Sequence, residues 1–141
     1  MKVIFLDLDG PICDTRGNKN LDAIYRLSEL VRLTKAKIII TSSWRIGKDI
    51  NQLTTSLSLW LWYNFPVDQV IGMTEVIYHN GREIPRGAEI EIYLEDHQDI
   101  DNYVILDDES VPLLTQADHF VQTERDGITG EQFREALRIL G

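Results

Sequence analysis

Three short apolar runs in this chain each end directly in acidic or hydroxyl side chains. The runs cover residues 2–6, 37–40 and 103–106, and the polar clusters that follow are Asp7-Leu8-Asp9-Gly10, Thr41-Ser42-Ser43 and Asp107-Asp108-Glu109. Runs of β-branched and aromatic residues of this length predict buried β-strands. Because these runs are apolar apart from Lys2 and Lys37 at their starts, they indicate a parallel sheet that is covered by helices on both faces.

Helical segments alternate with these strands along the chain. Helices are predicted over residues 21–33, with Asn20 as the cap, over 46–61, from Pro85 to Leu94, and from Thr129 to Leu140. Further strands are predicted at residues 67–73 and 119–121. This alternation predicts one α/β domain over residues 1–141, a Rossmann-like three-layer α/β/α sandwich with a mainly parallel sheet.

The composition restricts the class of protein. The formal net charge is −9, whereas nonspecific nucleic-acid binders usually carry a basic surface, so this charge disfavours a nucleic-acid substrate without excluding it. A single cysteine excludes an internal disulfide and a cysteine-cluster metal site, and it suits a reducing cytoplasm. No apolar run is long enough to span a membrane, and the N-terminal run is too short for a signal peptide. We therefore expect a cytoplasmic protein with no membrane partner.

If the strands are parallel, the three polar clusters lie at one edge of the sheet, where open α/β sheets bind their ligands. Asp7 and Asp9, joined by a carboxylate from Asp107 or Asp108, would offer oxygen ligands to Mg²⁺ and leave room for a phosphate. The alternative for a single Asp-x-Asp pair is a solvated acidic turn. The convergence of three clusters favours the metal and phosphate site.

Several other residues are candidates for binding the substrate. The Thr41 hydroxyl could donate to a phosphoryl oxygen, whereas Ser42 is equally suited to capping a helix. Arg45 could reach the substrate, although a solvated arginine is the default interpretation. Arg86 could neutralise the carboxylates and the transferring group, or it could form a surface ion pair with a nearby glutamate. Gly10, which follows Asp9 in the sequence, completes the set of candidate substrate-binding residues.

These motifs resemble those of the haloacid dehalogenase-like (HAD) superfamily. Asp7-Leu8-Asp9-Gly10 resembles its first motif, Ile38-Ile39-Ile40-Thr41 its second, and Val104-Ile105-Leu106-Asp107-Asp108 its fourth. Arg86 stands where the superfamily places the lysine or arginine of its third motif. Three further stretches are similar to a narrower subgroup, the small HAD domain of multidomain RNA-repair proteins: Ser42-Ser43-Trp44-Arg45, Arg86-Gly87-Ala88-Glu89-Ile90 and Asp126-Gly127-Ile128-Thr129.

The resemblance implies a role for each matching position. Asp7 would be the nucleophile that forms an aspartyl-phosphate, and Asp9 would act first as general acid and then as base. Thr41 would hold the phosphoryl group, and Arg86 would orient and neutralise the nucleophile. The implied Mg²⁺ ligands are Asp7, the backbone carbonyl of Asp9, and Asp108, with Asp107 supporting the ion from the second shell or through water.

The segments in which superfamily enzymes carry a cap domain are short in this chain. Residues 14–35 leave room for a linker and one helix, and residues 45–84 for a helix and a strand. The resemblance thus implies a nearly capless domain with an open site, of the kind that acts on macromolecules or uses a partner as a lid.

The expected activity is Mg²⁺-dependent hydrolysis of a phosphomonoester, which could belong to a small molecule or to a nucleotide or polynucleotide end. One alternative is a phosphotransferase, which would use the same chemistry with an acceptor other than water. The other alternative is a non-catalytic module that binds phosphate groups or a partner protein.

Overall fold

The computed structural model describes residues 1–14, 16, 18–61 and 64–141. Its main sheet contains β1 (Lys2–Leu6), β2 (Lys37–Ile40), β3 (Val70–Met73), β6 (Asn102–Asp107) and β7 (Phe120–Gln122). The strand order is β3-β2-β1-β6-β7, and every neighbouring pair in this sheet is parallel. A separate antiparallel hairpin joins β4 (Tyr78–His79) to β5 (Arg82–Glu83). The predicted α/β class with a mainly parallel sheet is confirmed.

In the part of the chain that the structure describes, four α-helices cover the two faces of the main sheet: α1 (Leu21–Thr34), α2 (Ile50–Trp60), α3 (Arg86–Asp96) and α4 (Gly130–Leu140). Ile4 and Leu6 of β1 belong to a large core that includes side chains of α1, α2 and α4. Val3 and Phe5 belong to a smaller core on the opposite face, together with Ile90 of α3. The architecture is therefore the predicted three-layer sandwich. Among the described residues, no helix has the length and hydropathy that crossing a membrane requires.

The register of the central strands decides which side chains meet at the sheet edge. Leu6 at the end of β1 pairs with Ile40 on one side and with Leu106 on the other. The next residues of the three strands are Asp7, Thr41 and Asp107, so the register puts them at one level. Two backbone bonds extend this register beyond Leu6: the N–H of Asp7 donates to the Leu106 carbonyl at 3.0 Å, and that of Thr41 to the Leu6 carbonyl at 2.9 Å.

The start of the second helix differs from the prediction. Residues 43–45 form a short 3₁₀ turn, and α2 begins only at Ile50. The reason is local, because Asp49 and Gln52 form a capping box: the Asp49 carboxylate accepts from the Gln52 N–H, and the Gln52 side chain accepts from the Asp49 N–H. Similarly, residues 67–69 form a 3₁₀ turn, so β3 begins at Val70 and is shorter than predicted.

The connection between β2 and α3 contains little that could serve as a cap domain. α2 and β3 are part of the three-layer sandwich, and of the described residues in this connection only the hairpin β4–β5 forms a sheet of its own. Its turn residues Asn80 and Gly81 have φ values of 52° and 75°, as an Asn-Gly hairpin turn requires. As far as the described residues show, the domain is therefore nearly capless, as predicted.

Asn20 provides a test of how the first helix is fixed to the domain. Its side-chain oxygen accepts from the Ala23 N–H at 3.0 Å, and its amide nitrogen donates to the Asp126 carbonyl. Asn20→Ala removes both bonds and should lower the free energy of unfolding by about 1–2 kcal/mol in urea titrations. Asn20→Asp keeps the cap acceptor but loses the donor to Asp126, so it should recover only part of the lost stability. Wild-type stability in Asn20→Ala would contradict this role.

Candidate active site

Three carboxylates meet at the ends of β1 and β6. One oxygen each from Asp7, Asp107 and Asp108 lies within 4.8 Å of the other two. Asp7 and Asp107 are buried, and Asp108 is 9% exposed. This proximity follows from the register, since Asp7 directly follows the residue that pairs with Leu106. The predicted convergence of the first and fourth motifs is present in the structure.

Both carboxylate oxygens of Asp107 accept hydrogen bonds from other parts of the protein. Its Oδ1 accepts from the backbone N–H groups of Glu109 and Ser110, both at 3.0 Å, and its Oδ2 accepts from Arg86 Nη1 at 3.0 Å. These bonds fold the loop that follows β6 and leave Asp107 out of the lining of the adjacent pocket. Asp7 and Asp108 do line that pocket, so they are better placed than Asp107 to bind an ion there.

Arg86 is the cation that faces this cluster. It is the first residue of α3, and its Nη1 lies 3.4 Å from Asp7 Oδ2 as well as 3.0 Å from Asp107 Oδ2. Burial opposes the charge of Arg86, but the two carboxylates outweigh it and raise the pKa of the guanidinium. Of the two alternatives for Arg86, the structure shows the contact with the carboxylate cluster.

The single positive charge of Arg86 does not balance the negative charges of the three carboxylates. Burial, and secondly the charge of Asp107, raise the pKa of Asp7 to about 7, although Arg86 acts in the opposite direction. Burial likewise raises the pKa of Asp108. A further cation would relieve this repulsion, and carboxylate oxygens are the ligands that Mg²⁺ prefers. The donor set therefore fits a magnesium ion.

Asp9 lies beside the cluster rather than in it. It is partly exposed and lines the same pocket as Asp7 and Asp108, and its Oδ2 accepts a hydrogen bond from Trp44 Nε1 at 3.2 Å. Trp44 also packs edge-on against Trp60, with ring centroids 4.7 Å apart. Sequence reasoning missed the contact between Trp44 and Asp9; Trp44 stood out only as part of the stretch Ser42-Ser43-Trp44-Arg45 that is similar to the subgroup.

Gly10 allows the loop after β1 to pass close to Asp108. Its φ is +107°, and a β-carbon at this position would lie 2.3 Å from the Asp108 side-chain carbon Cγ. Any other residue would therefore displace the Asp108 carboxylate. The structure explains Gly10 by this close approach, and contact with a substrate remains a prediction.

The Thr41 hydroxyl has no hydrogen-bond partner among the described residues. Its Oγ1 is buried, and the Nε atom of Arg86 is likewise buried and without a partner among them. The hydroxyls of Thr74 and Thr123 are also unbonded, so this property alone does not mark a site; Thr41 is distinguished by lying level with Asp7. A phosphoryl oxygen that reached Thr41 would satisfy its hydroxyl, but Thr41 is fully buried and, unlike Arg86, does not line the pocket at the carboxylates.

Of the two alternatives for Ser42, the structure shows capping, because its hydroxyl accepts from the Trp44 N–H at 3.2 Å.

For Arg45 the structure corrects the prediction from sequence. Arg45 is only 2% exposed, so the default of a solvated arginine is wrong. Its guanidinium donates to three backbone carbonyls and to Glu89, and its Nη2 also lies 3.5 Å from Glu83, so it faces the protein and not a substrate.

The pocket at the carboxylates is small and open. Its volume is about 140 Å³, and it is lined by six residues: Asp7, Asp9, Ser43, Arg86, Asp108 and Glu109. A larger groove of about 760 Å³ lies between β7 and α4, away from these carboxylates. That groove is lined by side chains of both charges and contains none of the predicted site residues, so its size does not make it the better candidate.

The raised pKa of Asp7 predicts a pH dependence of stability without metal. Between about pH 4 and pH 7 the unfolded chain ionises Asp7 while the folded chain keeps it protonated, so its contribution to stability falls as the pH rises. Asp7→Asn removes this titration. In EDTA, the unfolding free energy of Asp7→Asn minus that of the wild type should therefore increase from pH 4 to pH 7 and then level off.

Asp14→Asn is the matched control. Hydrogen bonds from Asn18 lower the pKa of Asp14, so its titration lies below this range and its difference from the wild type should stay flat. A difference for Asp7→Asn that is flat or decreasing between pH 4 and pH 7 would show that Asp7 is not held in the protonated form.

Comparison with known proteins agrees with the geometry. A family model described as the HAD domain in Swiss Army Knife RNA repair proteins matches residues 3–133. No significant match was found among curated proteins or among solved structures. The match spans nearly the whole chain and includes the ends of β1, β2 and β6 together with Arg86. The chain therefore belongs to the family of HAD domains found in Swiss Army Knife RNA repair proteins.

Proposed function

We propose that this protein is a Mg²⁺-dependent phosphatase that hydrolyses a phosphomonoester through an aspartyl-phosphate on Asp7. Membership of the HAD family supports a phosphatase-type function in general. The observation that carries the specific proposal is the meeting of Asp7, Asp107 and Asp108 within 4.8 Å, in contact with Arg86 and with Thr41 at the same level on the neighbouring strand. This arrangement combines a nucleophile, ligands for a cation and donors for a phosphoryl group.

Asp7 and Asp108 are the residues that would hold Mg²⁺, with the backbone carbonyl of Asp9 as the third protein ligand. Asp107 would support the site indirectly, because its oxygens already accept from Arg86 and from the backbone. When bound, the ion would reduce the electrostatic repulsion between the anionic nucleophile and the anionic phosphate. Arg86 and the Thr41 hydroxyl would bind the remaining phosphoryl oxygens.

The reaction would proceed in two displacements at phosphorus. In the first, an Asp7 oxygen forms a bond to phosphorus while the bond to the leaving oxygen breaks, and Asp9 gives its proton to that oxygen. In the second, water attacks the aspartyl-phosphate, Asp9 takes a proton from the water, and inorganic phosphate leaves with Asp7 restored. Trp44 would hold Asp9 through its bond to Oδ2, so that Oδ1 is free for the proton.

The size of the pocket limits how much of the substrate can enter it. A volume of about 140 Å³ accommodates a phosphoryl group and little more, so the rest of the substrate would lie outside the domain or against its surface. This suits a phosphorylated end of a large molecule. The family description points to RNA repair, so we propose a nucleotide or polynucleotide end as the first substrate to test. The net charge of −9 argues against tight nonspecific binding of nucleic acid.

The proposal is tested by a panel of phosphorylated metabolites, nucleotides, and 3′- and 5′-phosphorylated oligonucleotides, assayed for phosphate release with Mg²⁺. Asp7→Asn keeps the size of the side chain but removes the nucleophile. It should lower kcat on the best substrate by about 10³-fold or more. EDTA should abolish the wild-type activity, and added Mg²⁺ should restore it.

Asp14→Asn is again the matched control, since it makes the same substitution outside the carboxylate cluster and should keep wild-type activity. Phosphate release that survives Asp7→Asn would end the proposal of Asp7 as nucleophile. Binding of phosphorylated ligands without any turnover would favour the non-catalytic alternative, and transfer of the phosphoryl group to an alcohol instead of water would favour the phosphotransferase.

A further inference from the structure

A buried arginine and a buried glutamate connect the two elements that carry Thr41 and Arg86. Arg45 lies in the turn just after Thr41 and is 2% exposed, and Glu89 of α3 is 1% exposed. Arg45 Nη2 donates to Glu89 Oε1 at 2.8 Å. Charged residues are almost never fully buried unless they are paired, and this pair lies outside the three-carboxylate cluster.

The guanidinium of Arg45 holds the ends of two neighbouring strands. Its Nη1 donates to the carbonyl oxygens of Thr41 at 2.7 Å and Ser42 at 2.9 Å, just after β2. Its Nε donates to the carbonyl of Thr74 at 2.9 Å, just after β3. The planar fork of an arginine can satisfy several fixed acceptors at once, which a lysine cannot do.

Glu89 extends this network to the third motif. It lies three residues after Arg86 in the same helix, so it is fixed one turn from the first residue of α3. Its Oε2 accepts from the Ile77 N–H at 3.0 Å, and Glu83 of the hairpin reaches Arg45 Nη2 at 3.5 Å. Burial raises the pKa of Glu89 to about 7 and the neighbouring Glu83 acts in the same direction, while the Ile77 N–H and Arg45 oppose this shift.

We propose that Arg45 and Glu89 are a positioning pair that sets the distance between Thr41 and Arg86, the two donors to the transferring phosphoryl group. This inference rests on the roles given to Thr41 and Arg86 in the proposed function. A buried ion pair contributes little net stability compared with apolar residues of similar size. A positioning role gives a reason for such a pair at this place in the fold.

Arg45→Lys is the decisive variant, because it keeps the charge opposite Glu89 but cannot reach all of the acceptors. With the best substrate found for the wild type, and well below the melting temperature, kcat should fall by about 10- to 100-fold, since small misplacements of binding groups carry costs of this size. Glu89→Gln should show the same effect to a lesser degree. Mg²⁺ affinity, measured by calorimetry, should stay close to that of the wild type in both variants.

Arg26→Lys is the matched control. Arg26 of α1 also donates to a backbone carbonyl, that of Ile128 at 2.8 Å, but on the opposite side of the fold from Glu89 and α3. This variant should leave kcat unchanged, and it should lower the melting temperature by less than Arg45→Lys, because Arg26 makes one such bond whereas Arg45 makes four. If Arg45→Lys also kept wild-type kcat, or lost activity only by unfolding, the pair would be structural and the proposal would be overturned.

Orthovanadate provides a readout that does not need turnover. With Mg²⁺ it imitates the five-coordinate transition state at phosphorus, and its affinity should weaken in Arg45→Lys by about the factor lost in kcat. If Asp7→Asn retained activity, the proposed nucleophile would be wrong, yet weaker vanadate binding in Arg45→Lys would still support the positioning pair. Unchanged vanadate affinity, or a wild-type protein that binds no vanadate, would overturn it.

Discussion

The site depends on one constraint, the parallel register that ends β1, β2 and β6 at the same level. This register sets Asp7, Thr41 and Asp107 side by side, and Asp108 follows immediately. Bringing three carboxylates together in a buried place is unfavourable, and the sheet enforces it because each strand end is fixed by apolar packing on both faces. The fold thus creates an excess of negative charge at one point, which suits a divalent cation and a reacting phosphate.

Arg86 and the backbone of the loop after β6 hold these carboxylates in place through hydrogen bonds. Asp107 accepts one hydrogen bond from Arg86 and two from the backbone. These bonds fix the position of its carboxylate relative to Arg86 and the loop after β6. Gly10 lets the first-motif loop approach Asp108 without a side chain in between. These contacts divide the three carboxylates into one that is saturated by protein donors and two that face the pocket.

Much of the fold could be predicted from local patterns. The uniformly apolar runs identified β1, β2 and β6, and the helix caps at Asn20 and Thr129 lie where the sequence placed them. The predicted starts of α2 and β3 were wrong, because residues 46–47 form a turn before α2 and residues 67–69 form a 3₁₀ turn before β3. Such turns lack a distinctive apolar period, and their polar and apolar residues fit a helix equally well.

The candidate site, like the fold, could be predicted from the sequence only in part. The grouping of the carboxylates follows from strand order and could be predicted, but the environment of Arg45 could not. Its partners are backbone carbonyls and a glutamate that lies 44 residues away in sequence, and such contacts leave no local pattern. For the same reason the bond from Trp44 to Asp9, across 35 residues, appeared only in the structure.

The central claim is that Asp7 receives the phosphoryl group while the same carboxylate cluster binds one divalent ion. The direct measurement is a crystal structure of the protein soaked with Mg²⁺ and beryllofluoride, a stable imitation of an aspartyl-phosphate. We expect the beryllium to be bonded to Asp7, with one Mg²⁺ about 2.1 Å from oxygens of Asp7 and Asp108. Beryllofluoride on another residue, or an ion bound away from Asp7 and Asp108, would contradict the account.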